Sequence, residues 1–389
     1  MINEKQQSTS KLGNIYFRLY YVFHLLFFVI GIWVGMLACL YFKTFPSFLS
    51  FDSFFVSQPS YARPPQPLEI SSSNLENKSI VSFMHNMSDE ELLVRAMKVS
   101  NNSWELDKDN NKVRKVAFMF LTYGSLPLAA LWEKYFEGYE GLYSIYVHPH
   151  PSYNDSWPPS SVFFDRRIPS QAVFWGTKSM MAAERRLLAN ALLDISNKRF
   201  VLLSESCIPV MNFKTTYNYL MDTNLSFVES YDNPGKGGRG RYNPQMSPYI
   251  NITHWRKGSQ WFEATRDLAI KIISDHKYYK LFQDYCLPRA RCYVDEHYVP
   301  TLLNILYPDL SSNRTITYVD WSTNGAHPVK FGSDQITDQF FNGIRYGTEC
   351  DYNANITTMC FMFARKFAPN ALEPLLQIAP LLLGTTYDP

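Results

Sequence analysis

Val116-Ala-Phe-Met-Phe-Leu121 is a run of six apolar residues, entered from Lys115 and left through Thr122-Tyr-Gly124. An unbroken apolar run predicts a strand buried on both faces, because a strand with one wet face alternates apolar and polar residues. The chain on either side extends the pattern. Leu126–Phe136 has helical spacing, Tyr143-Ser-Ile-Tyr-Val147 reads as a second strand, and Val173-Phe-Trp175 reads as a short third. Ser179–Leu193 is predicted as a helix, with Met180, Ala183, Leu187, Leu188 and Ala191 on one stripe. Phe200-Val-Leu-Leu203 is a fourth strand. Strands alternating with helices give an α/β class, a mixed and mostly parallel sheet flanked by helices. Ligands on such sheets bind at the carboxyl ends of the strands. Those ends are Leu121–Gly124, Val147–Pro149, Trp175–Thr177 and Ser204–Ile208. Farther on, Gln260–Ile273 and Asp295–Leu306 read as helices and Ile316–Val319 as a strand, while Phe361–Phe367 and Ala371–Leu376 close the chain.

The chain has 389 residues and a net charge of +2, without the basic excess of a nucleic-acid binder. Hydrophobic residues at 46% and charged residues at 19% exclude a mostly disordered chain. Leu19–Phe42 carries no Asp, Glu, Lys or Arg. As a helix it would span roughly 36 Å, enough for a bilayer core and longer than the apolar region of a cleaved signal. Cleavage near Ala38 is the alternative. Lys5, Lys11 and Arg18 precede the stretch and only Lys43 follows closely, which puts residues 1–18 in the cytosol and the rest in the lumen. Residues 43–112, rich in Pro and polar residues, read as an extended stem with a short helix in Ser88–Val99, where Ser88 and Glu91 resemble a capping box. The compact domain is then 113–389. N-x-S/T sequons at Asn77, Asn86, Asn101, Asn154, Asn224, Asn251, Asn313 and Asn355 all fall beyond the apolar stretch. Of the five luminal cysteines at least one stays unpaired, and fifteen two-bridge patterns are open. Proximity favours Cys286–Cys292 and Cys350–Cys360, with Cys207 as a small buried residue.

Several residues are candidates for chemistry. Asp295-Glu296 opens a predicted helix, and a carboxylate in a partly dry cleft can take a proton from a sugar hydroxyl. It can equally do no more than complement the helix dipole. Arg365-Lys366 stands in an apolar run, where fixed cations can stabilise a leaving diphosphate or simply reach into water. Arg345 is a further candidate cation. The Gly/Arg stretch Asp232–Arg241 reads as a flexible basic loop, either closing over a ligand or lying on the surface. Lys257, Trp261 and Trp321 place aromatics beside polar groups, as sugar sites do. Metal binding is poorly supported: the fourth strand leads into Ser204-Glu-Ser-Cys207 rather than paired Asp, and the one D-x-D, Asp107-Lys-Asp109, lies in polar linker.

Five segments, in order, resemble the plant branch of the core-2/I-branching β-1,6-N-acetylglucosaminyltransferase-like proteins of glycosyltransferase family 14. They are Trp175-Gly-Thr-Lys-Ser-Met-Met, Leu203-Ser-Glu-Ser-Cys-Ile-Pro209, Trp255-Arg-Lys-Gly-Ser-Gln-Trp261, Tyr293-Val-Asp-Glu-His297 and Cys360-Phe-Met-Phe-Ala-Arg-Lys-Phe367. The resemblance implies a GT-A-like, Rossmann-type fold in a single-pass type II Golgi membrane protein. It implies a UDP-sugar donor with a GlcNAc-like sugar, a glycan or glycoprotein acceptor, inversion at the anomeric carbon, and no metal cofactor. By the same analogy Glu296 is the general base and Lys366 contacts the diphosphate, with Arg365 and Arg345 beside it. Leu121, Thr122, Val147 and His148 would line the uridine site, and Asp295, Lys257, Trp261 and Trp321 the acceptor. A homo-oligomer is compatible with this reading. Two rival classes stand beside it. One is a non-catalytic glycan-binding or scaffolding protein of the same fold. The other is a glycoside hydrolase, which needs a second carboxylate, for which Glu205 is the best candidate.

Overall fold

The computed structural model describes residues 23–33, 83–101, 113–286, 292–323 and 325–384. Residues 1–18, both ends of the apolar stretch 19–42, and most of the stem lie outside the described residues, as does Asn77. Residues 23–33, within that stretch, form a helix with exposed apolar side chains. Among the described residues no helix is long and apolar enough to cross a membrane.

The domain that follows begins with α1 (Asp89–Asn101), β1 (Lys115–Leu121), α2 (Ala129–Phe136), β2 (Tyr143–His148) and α3 (Lys178–Leu192). Next come β3 (Asn197–Ser204), β4 (Ile208–Pro209), α4 (Phe213–Met221), β5 (Glu263–Thr265), α5 (Arg266–Ser274) and α6 (Lys277–Tyr285). The chain continues through α7 (Val294–Leu306), β6 (Thr317–Val319), α8 (Asp338–Tyr346), β7 (Cys350–Tyr352) and β8 (Asn355–Thr357). It ends in β9 (Phe363–Arg365), α9 (Leu372–Gln377) and α10 (Ala379–Leu383).

The main sheet has the order β2-β1-β3-β5. β1 lies parallel to both β2 and β3, and β5 is antiparallel to β3. β1 explains its own apolar run. Ala117, Met119 and Leu121 join one core with Leu187, Leu188 and Phe200, while Val116, Phe118 and Phe120 join another with Trp132, Phe136 and Phe213. Both faces are covered, so neither set of alternate residues can be polar. A second sheet, β4-β9-β6, stands at the carboxyl end of β3 and carries Arg365 and Lys366.

Four sequence expectations change. Val173–Trp175 is not a strand: Thr177 N donates to Phe174 O at 3.2 Å in a turn, Gly176 sits at φ +71°, and Phe174 and Trp175 are exposed. The helix expected over Gln260–Ile273 begins only at Arg266. Glu263 instead lies in β5, where its carboxylate takes two contacts from the buried Arg199 of β3, each at 2.7 Å. Thr265 then caps α5 by accepting from Leu268 N. Asp232–Arg241 is held rather than loose, because Arg239 donates to both oxygens of Asp232 at 2.8 and 2.6 Å.

The fourth change is the boundary of the domain, which moves upstream of 113. Ser88 and Glu91 form the capping box of α1, and Leu92 and Ala96 are buried in the same core as α3. Asp89 receives Arg186 Nε at 2.7 Å and Nη2 at 2.5 Å, and the Phe83 ring lies 4.8 Å from Tyr146.

Candidate active site

Glu296 stands in the first turn of α7 and is reached from two sides. Arg241 Nη1 donates to its Oε2 at 2.6 Å and Lys257 Nζ at 2.5 Å, all three side chains being 21% exposed. Arg241 is the last residue of the ordered Asp232–Arg241 turn. Lys257 is fixed by a two-way backbone pairing with Tyr231, and Gly258 N donates to Glu296 O at 2.9 Å. A Cβ at Gly258 would fall 2.0 Å from Glu229 O, so only glycine permits this approach. Burial alone would raise the Glu296 carboxyl. Lys257 and Arg241 outweigh it and hold the group below the ordinary carboxylate range, ionised at neutral pH.

Asp295 turns inward. Burial, then the Glu296 charge, pushes its carboxyl up to about 7. The buried Glu184 of α3 accepts from Gln260 Nε2 at 2.9 Å and is raised well above the carboxylate range by burial and by Asp295. Asp295 Oδ1 and Glu184 Oε2 have no hydrogen-bond partner. Asp295 is thus buried at the start of α7, only 6% exposed. His297 is stacked on Trp255, donates from Nδ1 to Arg256 O at 2.7 Å, and is depressed to about 4 by burial.

The cations gather at the end of β9. Arg365 lies with its guanidinium 4.1 Å from the centroid of the Trp261 ring and close to Cys207 and Glu205, and burial lowers its proton affinity. Trp261 is only 6% exposed, so it carries Arg365 rather than offering a sugar platform. Lys366 is lowered by burial and then by Arg365, and it also feels Glu205 and Lys330. Phe331 N donates to Lys366 O and Ala368 N to Phe331 O, both at 2.8 Å, which brings Lys330 to this group. Arg345, expected beside these cations, instead donates to Leu381 O of α10 at 3.1 Å.

The strand ends also differ from expectation. Thr122 is spent on Gly124 O, and Leu121 is buried. Val147 and His148 are fully buried, and His148 Nε2 meets Arg186 Nη1 at 2.9 Å, with burial and Arg186 depressing it to about 4. Their side chains cannot line an open nucleotide site. Tyr123 is exposed there and His150 half-buried, their rings 5.3 Å apart. Trp321 is 55% exposed in the loop after β6.

Cys286–Cys292 joins the end of α6 to the start of α7, Cys350–Cys360 joins β7 to the approach of β9, and Cys207 is free and buried. Asn86, Asn154, Asn224, Asn251, Asn313 and Asn355 are exposed. Among the described residues no group of three or more His, Cys, Asp or Glu is placed to hold a metal ion.

Sequence reading named Glu296, Lys257 and Asp295, and the structure brings them together. It missed the partners Arg241, Glu184 and Lys330. Glu184 had a visible signal, a lone carboxylate inside the apolar stripe of a helix; Lys330 had none.

The family model described as Core-2/I-Branching enzyme matches residues 116–345, more than half of the chain. The chain is also similar to "Glycosyltransferase BC10" of Oryza sativa subsp. japonica, 35% identical over 310 residues, which cover 68% of this chain and 76% of that protein.

Proposed function

The chain belongs to the core-2/I-branching enzyme family of glycosyltransferases, and on that premise we propose an inverting, metal-independent transfer from a UDP-sugar with Glu296 as general base. The observation that carries the reading is the Glu296 carboxylate in the first turn of α7, held ionised by Arg241 and Lys257. Trp261, four residues beyond Lys257, bears Arg365 on its ring.

In this reading Glu296 takes the proton of an acceptor hydroxyl. The oxygen attacks the anomeric carbon on the face opposite the UDP, and the bond to the β-phosphate oxygen breaks with its electron pair leaving on UDP. Lys366, Arg365 and Lys330 stabilise the negative charge, work that a divalent cation does elsewhere. A GlcNAc-like sugar, a glycan or glycoprotein acceptor, and a Golgi location behind a membrane anchor at 19–42 complete the proposal. The apolar stretch, its flanking charges and the sequons support the location.

The test is UDP release by the purified full-length protein against UDP-GlcNAc, UDP-xylose, UDP-glucuronic acid and UDP-galactose, with a panel of glycan acceptors, with and without EDTA. Glu296→Gln is expected to keep UDP binding and lose about 10²–10⁴ in rate, the range for a general base. A mutant of undiminished rate refutes the assignment to Glu296. Inhibition by EDTA that Mn²⁺ reverses refutes metal independence. A folded protein that binds glycans but no UDP-sugar favours the non-catalytic reading.

A further inference from the structure

Trp175 is 57% exposed, a costly placement for an indole, yet its surroundings hold it firmly. Its ring stands edge-on to Tyr293 with centroids 5.1 Å apart and lies 5.2 Å from His327. Two left-handed residues make the contact possible. Gly176 has φ +71°, and a Cβ there would meet the Tyr293 ring at 2.9 Å. Tyr293 itself has φ +50°, a conformation that costs an aromatic residue free energy. The other face of the arrangement leads to the base: the Arg241 guanidinium lies 4.0 Å from the Tyr293 centroid and donates to Glu296.

We propose that Trp175, flanked by His327, is an acceptor subsite that stacks on the apolar face of a pyranose one sugar beyond the residue attacked. The inference rests on the transferase reading above. The geometry favours the acceptor over the donor because Trp175 connects to Glu296 through Tyr293 and Arg241, whereas Arg365, among the cations assigned to the diphosphate, is carried by Trp261. An indole presents a flat apolar surface that matches the C–H face of a sugar ring, and His327 adds a hydrogen-bonding edge. His327 lies six residues beyond the exposed Trp321.

The experiment uses the full-length protein with UDP bound. Binding of cello-, xylo- and galacto-disaccharides is compared with that of the matching methyl monosaccharides by ligand-observed NMR, for wild type, Trp175→Ala and Trp175→Phe. At least one disaccharide should bind wild type more tightly than its monosaccharide. Trp175→Ala should remove that advantage, about tenfold for the burial of one sugar face, and Trp175→Phe should restore most of it. UDP affinity and melting temperature should be unchanged in both variants. Wild type that binds UDP but prefers no disaccharide overturns the subsite, as does an advantage that survives Trp175→Ala. Failure of wild type to bind UDP instead refutes the transferase reading.

Discussion

Removing α1 from the chain is expected to unfold the domain, although α1 lies in a segment that reads as stem. Leu92 is 1% exposed and packs in the core that includes α3 and the inner face of β1. Leu92→Ala should cost about 2–5 kcal/mol, the range for a leucine truncated in a close-packed core. At roughly 2–3 °C per kcal/mol for a domain of this size, the melting temperature should fall by about 4–15 °C. Asp89→Asn has a different origin. It leaves Arg186, whose side chain is 4% exposed, facing only the neutral His148. Because Asp89 is itself 46% exposed, the loss should be about 1–3 kcal/mol, between the values for exposed and buried pairs. A chain starting at residue 113 suffers both losses together with the removal of the buried Ala96 and the uncovering of Tyr146. That approaches the whole stability of a typical domain, about 5–15 kcal/mol. The assay is thermal unfolding by circular dichroism of chains starting at 77 and at 113, alongside the two point variants. A chain from 113 that melts within about 2 °C of the longer one would refute the assignment of α1 to the domain.

The remaining predictions concern the site. Lys257→Met should move the acidic limb of kcat/KM upward, because the proposed base works only when ionised and Lys257 lowers its proton affinity. A limb that stays in place would show that Lys257 does not tune Glu296. Lys366→Ala should lower the transfer rate by about 10²–10³ with acceptor KM little changed, the signature of lost leaving-group stabilisation; steady-state kinetics at saturating donor decide it. Gly258→Ala should displace Lys257 from Glu296 and cost about 1–3 kcal/mol of stability, read as a lower melting temperature with a lower rate.

What the sequence made legible follows a physical rule. β1 and β3 announce themselves because strands covered on both faces have no room for polar residues. β5 is hidden because Glu263, which a sequence reader assigns to solvent, is satisfied by the buried Arg199. A short edge strand with a paired charge carries no apolar signature. The stripe of α3, with Glu184 inside it, was readable, but not that Arg185 and Arg186 on its other sides are buried as well. Those three find partners on separate elements: Gln260, the carbonyls of α5 and Asp89.

The same rule explains the cations. Arg345 was a reasonable choice while only adjacency along the chain counted, and the structure spends it on a carbonyl of α10. Lys330 lies 36 residues before Lys366 in an unremarkable loop. It joins the group because Phe331 pairs with Phe367 in a single parallel bridge, and that bridge forms because both rings enter the core built by Phe341, Ala371 and Leu375. Apolar packing thus sets the spacing of charges that no local pattern records. The charge most exposed to this effect is the one at Glu296. Its type and its place in a first helical turn are local and readable. Its ionised state depends on Arg241 and Lys257, which come from separate segments and are brought to it by the Asp232–Arg239 clasp, the Tyr231–Lys257 pairing and the close approach at Gly258.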